Sequence, residues 1–504
     1  MAIYELPFSK GLCDGAGDNR MPYAYSTDLR NVRIVNQVTT KRKGYKTIVD
    51  DIVGTTVKGM ASNNSALYVV VDSKLKSCDI TAGNYTNIGT LPNDNDVGIV
   101  TFGKYTIILT GAQPYVYDGT TLSAVTTYVA SSNPSFGTEF LNFTWVAWTG
   151  TLANVLYQSR PISATNPEYS YDWSGSGAGQ MIMKSNILGI VSTLSKLVIF
   201  TEKSIEWIDR SSYTTIGWVL NFYPNPMAQG EKLANSRCAV GAGDKIFFLT
   251  ADKKIKTIDY VQGISDIRVG ELSDDEQVGI PNFMNNLNDD LSDSVGFYDQ
   301  KNKLIKFFVR SKNSLTNDLC IIWDLVNKTF LVDDNKFYGI LVNHNNKVYA
   351  GSCLNSVTYE DEFGTDDDGG EIAWYRYSAI LANGRATSNK MYNGVSTTGT
   401  IGSGTTITKE IILDWDIIDS STIVGAESIV WGTGSAPTGS VATGWPTSIP
   451  TLRNFTKHRW PEYINTIGRY LQIKYSGSGT WEDFTLETVE TKEKLSSYEE
   501  LTDK

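Results

Sequence analysis

Short runs of apolar residues recur along the first 360 positions, each followed by a polar turn and a second, more alternating run. The pairs fall at 66–71 and 74–79, 105–110 and 115–118, 143–148 and 155–159, and 197–201 and 204–209. They continue at 246–250 and 255–259, 304–309 and 319–324, and 347–350 and 357–359. A nearly continuous apolar run such as Leu304-Ile305-Lys306-Phe307-Phe308-Val309 is what a strand covered on both faces requires, and an alternating run suits a strand nearer a solvated rim. Successive first runs open at Ala66, Tyr105, Phe143, Leu197, Ile246, Leu304 and Lys347. That spacing is close to the roughly 40–50 residues of a four-stranded propeller blade. The pattern predicts an all-β chain with a β-propeller of six or seven blades over residues 51–360. Five of the second runs end in aspartate: Asp79, Asp118, Asp209, Asp259 and Asp324. They sit in separate blades, so they read as turn-forming Asx residues rather than as ligands gathered on a cation.

The flanks differ. Residues 1–50 read as an N-terminal segment closing or flanking the propeller. Residues 361–371, with Asp366-Asp367-Asp368-Gly369-Gly370-Glu371, read as an acidic, solvated linker without the spacing of a calcium loop. Residues 372–490 carry strand candidates at 372–377, 408–413, 428–431, 470–475 and 481–486, separated by Gly, Ser, Thr and Pro turns, and read as a β-sandwich-like domain. The stretch from Val395 to Thr408 is Gly- and Thr-rich and reads as a long loop. Residues 491–504 form a charged tail, a short helix or frayed.

Composition narrows the function. The 504 residues carry 44 basic and 55 acidic side chains, a net charge of −11, which disfavours a general nucleic-acid binder. Abundant Tyr (27) and Trp (12) with 44 Gly favour strands and turns. No apolar stretch reaches the ~18 residues of a membrane span, and Met1 to Pro7 lacks the basic and apolar regions of a secretory signal. Cys13, Cys78, Cys238, Cys320 and Cys353 are odd in number and far apart, which points to reduced, mostly buried thiols rather than to disulfides or a zinc site.

No constellation selects a chemistry, and no catalytic, cofactor-binding or metal-ligating residue is assigned. His344 lies in Asn343-His344-Asn345-Asn346, a hairpin-turn sequence, and His458 stands alone in a polar context. Ser174-Gly175-Ser176-Gly177-Ala178-Gly179 lacks the strand-to-helix setting of a nucleotide loop and reads as a flexible loop. Ser170-Tyr171-Asp172-Trp173 keeps only the opening of a sialidase-type turn. The basic run Lys41-Arg42-Lys43-Gly44-Tyr45-Lys46 reads as a solvated hairpin flank, with phosphate contact as the competing reading.

Four stretches resemble the tail hub, or packaged-DNA stabilisation (head-closure) protein, of short-tailed bacteriophages. They are Leu6-Pro7-Phe8-Ser9-Lys10-Gly11; Asp28-Leu29-Arg30-Asn31-Val32 with Lys43-Gly44-Tyr45; Ile187-Leu188-Gly189-Ile190 through Ser204-Ile205-Glu206-Trp207-Ile208; and Lys457-His458-Arg459-Trp460 with Ile467-Gly468-Arg469-Tyr470-Leu471-Gln472-Ile473. The resemblance implies a non-enzymatic virion part, made in the host cytoplasm and placed in the tail or neck. It implies a ring, usually of six copies, below the portal-adaptor ring, with a needle or spike and tail fibres as partners. Double-stranded DNA is retained and then passes through the lumen. A net acidic wall would keep DNA phosphates from sticking. Two other classes stay open: a carbohydrate- or receptor-binding propeller of a virion, and a propeller hydrolase or lyase with an acid pair at its central funnel.

Overall fold

The structure, a computed structural model, describes residues 2–15, 21–51, 55–63, 66–93, 95–128, 133–149, 153–214, 217–222, 232–261, 266–275, 278–381, 390–401, 406–424, 457–462, 466–468, 470–478 and 484–494. The chain forms two compact units: residues 45–363, and residues 1–44 together with 364–504.

The first unit is a β-propeller. Among the described residues it contains seven four-stranded antiparallel sheets. Blade I runs Gly59–Asn63, Ala66–Val71, Lys74–Asp79 and Asn84–Thr90. Blade II runs Gly98–Phe102, Tyr105–Leu109, Tyr115–Tyr117 and Leu122–Ala124, and blade III Asn133–Phe140, Phe143–Thr149, Val155–Gln158 and Gly179–Ile182. Blade IV runs Ile187–Ser192, Lys196–Thr201, Ile205–Thr214 and Gly217–Phe222, and blade V Ala239–Ala242, Lys245–Leu249, Ile255–Val261 and Asp266–Glu271. Blade VI runs Val295–Asp299, Leu304–Val309, Leu319–Asp324 and Thr329–Asp334. Blade VII takes Tyr338–His344, Lys347–Ser352 and Thr358–Asp361 from its own stretch of chain and its outer strand, Tyr45–Val49, from before blade I. The seven predicted hairpins are the second and third strands of these blades. The second strand lies inside the stack of sheets, so Tyr105–Leu109, Lys196–Thr201 and Leu304–Val309 are buried along their whole length.

The innermost and outermost strands are the ones the hydrophobic pattern does not reveal. Each innermost strand touches the next around the axis, and Tyr338–His344 touches Gly59–Asn63 to close the ring. Sheets converge there, and small residues let them do so. A Cβ on Gly98 would lie 2.6 Å from the Ser135 carbonyl oxygen, and one on Gly296 would lie 2.5 Å from Val240 Cγ2. Apolar contacts fill the wedges between blades: Ile107, Leu109, Val146 and Tyr157 join II to III, and Trp145, Leu156, Leu197 and Ile208 join III to IV. The closing seam packs Val49 and Tyr349 of blade VII on Leu67, Val69 and Val71 of blade I. Tyr85 adds hydrogen bonds there to the Ser356 carbonyl oxygen and to Thr358 Oγ1, both at 2.6 Å.

The second unit is woven from both ends of the chain. One sheet has the order Leu29–Arg30, Trp374–Tyr377, Leu471–Gly477, Thr406–Leu413, Asp416–Val424. The other runs Val32–Val35, Val38–Lys41, Phe484–Lys494, Lys390–Ile401, Lys457–Glu462, with Ala2–Pro7 also paired to Phe484–Lys494 and Thr466–Gly468 to Lys390–Ile401. The buried Arg376 ties the two sheets to the N-terminal loop. It donates to the carbonyl oxygens of Lys10 (2.7 Å) and Ala24 (3.1 Å) and to Thr39 Oγ1, and it covers the ring of Phe8.

Several sequence expectations change here. Residues 1–50 divide: 2–41 build the second unit's sheets, while Tyr45–Val49 completes blade VII. The expected loop between Val395 and Thr408 is instead occupied to residue 401 by the long strand Lys390–Ile401 and resumes as a strand at Thr406. Strand Phe484–Lys494 continues through the start of the expected tail. The strand candidate at 428–431, the beginning of that at 481–486, and residues 495–504 lie outside the described residues.

Candidate functional site

The most concentrated chemistry lies between blades VI and VII. Lys306 comes from the apolar second strand of blade VI, and Lys336 from the link between the blades. Asp361 ends the third strand of blade VII and Glu362 follows it; Asp299 ends the first strand of blade VI and Asp333 is next to last in its fourth. Lys306 Nζ lies 2.9 Å from Asp361 Oδ2, 2.8 Å from Glu362 Oε1 and 3.3 Å from Asp299 Oδ2. Lys336 Nζ lies 2.7 Å from Asp361 Oδ1 and 3.5 Å from Asp333 Oδ2. Tyr338 donates to Asp361 Oδ1 at 3.2 Å. Both lysines and the three aspartates are buried. Burial raises the Asp361 pKa, but the Lys306 and Lys336 ammoniums and the Lys336 hydrogen bond outweigh it and hold the group below its ordinary value. A carboxylate so stabilised and enclosed is a poor proton donor or acceptor toward a substrate. The cluster is an ionic clamp between blades, and the expected solvated linker is corrected at its first two residues.

The rest of that linker is tied down as well. Asp367 takes a two-pronged pair from Arg42, with both nitrogen–oxygen distances 2.7 Å, and Arg42 Nε donates to Asn31 Oδ1 at 2.8 Å. Lys41 donates to the Thr365 carbonyl oxygen at 2.8 Å. Lys41 and Arg42 are therefore buried structural cations, neither a solvated flank nor a phosphate-binding patch. Lys43 and Lys46 are the exposed members of the run.

His344 ends the inner strand of blade VII, beside a turn in which Asn345 and Asn346 both have positive φ. Its Nδ1 lies 2.8 Å from Ser62 Oγ across the closing seam, and its Nε2 3.0 Å from Asn345 Nδ2. Burial lowers its pKa, so it is a neutral clasp between blades VII and I. His458 lies in strand Lys457–Glu462, opposite Gly399. In the glycine-rich stretch, Asp172 Oδ1 accepts from the backbone N–H of Ser174 (3.2 Å) and Gly175 (2.9 Å), making a fixed turn before strand Gly179–Ile182.

The blade-ending aspartates split into two kinds. Asp79, Asp118 and Asp324 each accept two backbone N–H groups of the following turn. Asp209 instead pairs with Lys196 and accepts from Trp207 Nε1, and Asp259 pairs with Lys245 at 2.8 Å. Cys13, Cys78, Cys238 and Cys320 are buried free thiols and Cys353 is half-buried. Burial pushes Cys78 and Cys238 up to about 12 and Cys353 to about 11, which disfavours a nucleophilic thiolate.

One cavity of about 210 Å³ gathers residues from the entries to several blades, including Lys58, Asp96, Arg237 and Asp293. Asp96 joins Arg237 at 2.9 Å and Lys58 at 3.6 Å, while Asp293 pairs with Arg310. Its charged groups thus face one another as ion pairs. Among the described residues no group of three or more His, Cys, Asp or Glu is placed to hold a metal ion, and no helix is long and apolar enough to cross a membrane.

No family model and no curated protein matches the chain. Among solved structures it is similar to the extracellular domain of the one component system BT4673 from B. thetaiotaomicron, at 9% identity and a TM-score of 0.44. That match covers 70% of this chain but only 43% of the other, so this chain spans less than half of that relative. It is also similar to BamB from Moraxella catarrhalis, at 11% identity, 64% and 97% coverage and a TM-score of 0.35. The N-terminal domain of Nup159 matches at 10% identity, 64% and 94% coverage and a TM-score of 0.40. The propeller is read from the strand topology.

Proposed function

We propose that this chain is a structural virion protein of a short-tailed bacteriophage. It is a tail-hub or neck component that forms a multi-copy ring below the portal-adaptor ring, retains packaged DNA and serves as the channel for its ejection. The observation that supports this most is where the residues of the resemblance lie. Phe8 packs edge-on against Tyr475 at 5.6 Å between ring centres. Leu29–Arg30 pairs with Trp374–Tyr377, and Asn31 donates to the Ala373 carbonyl oxygen at 2.7 Å. Leu471 and Ile473 are buried in the same sheet. The motifs from the two chain ends thus form the framework that weaves those ends into one unit, and the motif at 187–208 forms the buried strands of blade IV. Residues recurring for framework reasons suit a ring subunit better than a catalyst. The buried lysines and carboxylates between blades VI and VII are also spent on one another.

The test is antibody labelling of this chain on purified virions, read by negative-stain electron microscopy, with mass spectrometry of the particles alongside. Label at the neck or tail shaft is the expected result. Label at fibre tips would favour a receptor-binding propeller, and absence from the particles would overturn the virion reading.

A further inference from the structure

The hairpin of strands Thr406–Leu413 and Asp416–Val424 in the second unit ends in an exposed tryptophan. Leu413 faces Asp416, so the turn has two residues, Asp414 and Trp415, with φ of 49° and 79°. A two-residue turn with positive φ at both positions favours Asn-Gly, and a bulky side chain there is an outlier. Such outliers cluster at functional sites. Trp415 is 63% exposed and lies tilted against Tyr470 at 6.0 Å between ring centres. Asp414 Oδ1 accepts from the Tyr470 backbone N–H at 2.9 Å. The tip thus holds an exposed tryptophan between two exposed acids, Asp414 and Asp416, with exposed Ile417 and Ile418 behind it.

The propeller carries a socket of matching chemistry. Arg237 stands at the entry to blade V and Asp96 at the entry to blade II, yet they pair at 2.9 Å. Three blades apart is the widest separation in a ring of seven, so this pair spans the axis. The cavity of about 210 Å³ that both residues line therefore sits at the axial mouth. That volume is below the ~300 Å³ of a drug-sized pocket and suits one large side chain. Lys58 and Arg237, the cations lining it, share a single carboxylate, Asp96. The other lining acid, Asp293, is held together with Asp290 by Arg310. Leu315 and Leu354, next to the lining residues Thr316 and Cys353, are 85% and 53% exposed.

We propose that the hairpin tip Asp414-Trp415-Asp416 of one copy of this chain docks in the axial mouth of the propeller of a second copy. Trp415 enters the cavity, the tip carboxylates meet Lys58 and Arg237, and Leu315 and Leu354 cover the apolar margin. The charge match selects this occupant. A tip laid on a second tip sets carboxylates beside carboxylates, which repel, whereas at the mouth a further acid meets two cations that share one. A tryptophan seated in a pocket among apolar neighbours is a typical interface anchor. The contact is head-to-tail: each copy offers one tip and one mouth, so it repeats, and it closes into a ring if the rotation allows. It rests on the ring reading above and names the surfaces that carry it.

Sedimentation velocity on the full chain tests the docking. Wild-type protein is expected to form species larger than a dimer as concentration rises. Trp415→Gly loses the tip and suits the turn's positive φ, so its melting temperature should not fall. Leu315→Asp/Leu354→Asp changes two exposed residues and sets acids beside the incoming tip. Each variant alone is expected to be monomeric. Mixed one to one, they keep a single competent tip and mouth and should give a dimer that grows no further. Carbodiimide cross-linking of a mixture of ¹⁴N- and ¹⁵N-labelled wild type should join Asp414 or Asp416 to Lys58 between differently labelled chains. A wild type that stays monomeric overturns the docking. So do variants that assemble like wild type, folded variants whose mixture gives no dimer, or tip-to-Lys58 links confined to one label. These measurements use the purified chain and leave the virion labelling untouched. Neck label with a monomeric wild type removes this contact alone, whereas assembly as expected with no chain in virions removes the virion reading alone.

Discussion

Replacing Lys336 with methionine isolates the clamp between blades VI and VII. The cluster sets two ammoniums against four carboxylates, Asp299, Asp333, Asp361 and Glu362. Methionine keeps most of the side-chain length but removes the cation 2.7 Å from Asp361. Taking one partner from a buried pair costs about 3–5 kcal/mol, because the remaining charge stays desolvated. Against a typical stability of ~5–15 kcal/mol, that is a large fraction. Urea unfolding followed by tryptophan fluorescence reads it; Trp323, tilted against Phe330 in blade VI, is a local reporter. Lys336→Met/Asp361→Leu removes one charge of each sign and should recover much of the loss, giving a coupling energy of about 1–3 kcal/mol in the double-mutant cycle. The pH dependence adds a check. The Asp361 pKa is lowered in the fold, so its stabilisation is present above the unfolded carboxyl pKa of ~3.9 and is lost as pH falls through the lower folded value. Lys336→Met should flatten that acid limb. A loss under about 1 kcal/mol with an unchanged limb would refute the clamp, since a buried pair cannot be broken that cheaply.

Other expectations follow from the same geometry. Burial lowers the His344 pKa, so the unfolded chain takes up a proton near pH ~6.5 that the fold resists; the melting temperature should fall as pH drops below that value, and His344→Gln should remove the slope. Gly98→Val drives a side chain against the Ser135 carbonyl and should cost about 1–3 kcal/mol of overpacking, read as a lower urea midpoint. Arg376→Met strips donors from the carbonyl oxygens of Lys10 and Ala24, at about 1–3 kcal/mol for each acceptor left unsatisfied. Limited proteolysis should then cut residues 8–44 earlier than in wild type, and an unchanged digest would count against Arg376 as the anchor.

The second strand of every blade was legible because being covered on both faces demands a continuous apolar run, as in Leu197-Val198-Ile199-Phe200, and the third because it alternates toward the rim, as in Lys74–Asp79. The innermost strands were not, because convergence at the axis demands small residues; Gly59-Met60-Ala61-Ser62-Asn63 and Ala239-Val240-Gly241-Ala242 look like turns to any pattern based on hydrophobicity. The same bias made Val395 to Ile401, the end of strand Lys390–Ile401, look like a loop. Long-range pairing left no local mark at all. Tyr45–Val49 joins Thr358–Asp361 across some 310 residues, and Arg42 finds Asp367 across 325. Charges that end up buried, such as Lys41, Lys306 and Asp361, are indistinguishable in sequence from solvated ones until the partner is known.

That the clamp sits at blade VII has a physical logic. Blades I to VI are each made of consecutive strands, so chain connectivity fixes their order. Blade VII must recruit Tyr45–Val49 from the other end of the propeller, and an apolar seam alone specifies register weakly where both faces are covered. A one-residue slip moves every side chain of a strand to the opposite face. In the observed register Asp361 lies opposite Tyr45 while both of its oxygens are held by lysines; a slipped Thr358–Asp361 strand would turn that carboxylate away from both ammoniums. The ionic cluster therefore penalises misclosure more than an isosteric apolar cluster would, whatever its net contribution to stability. Specificity is thus invested where chain connectivity supplies none.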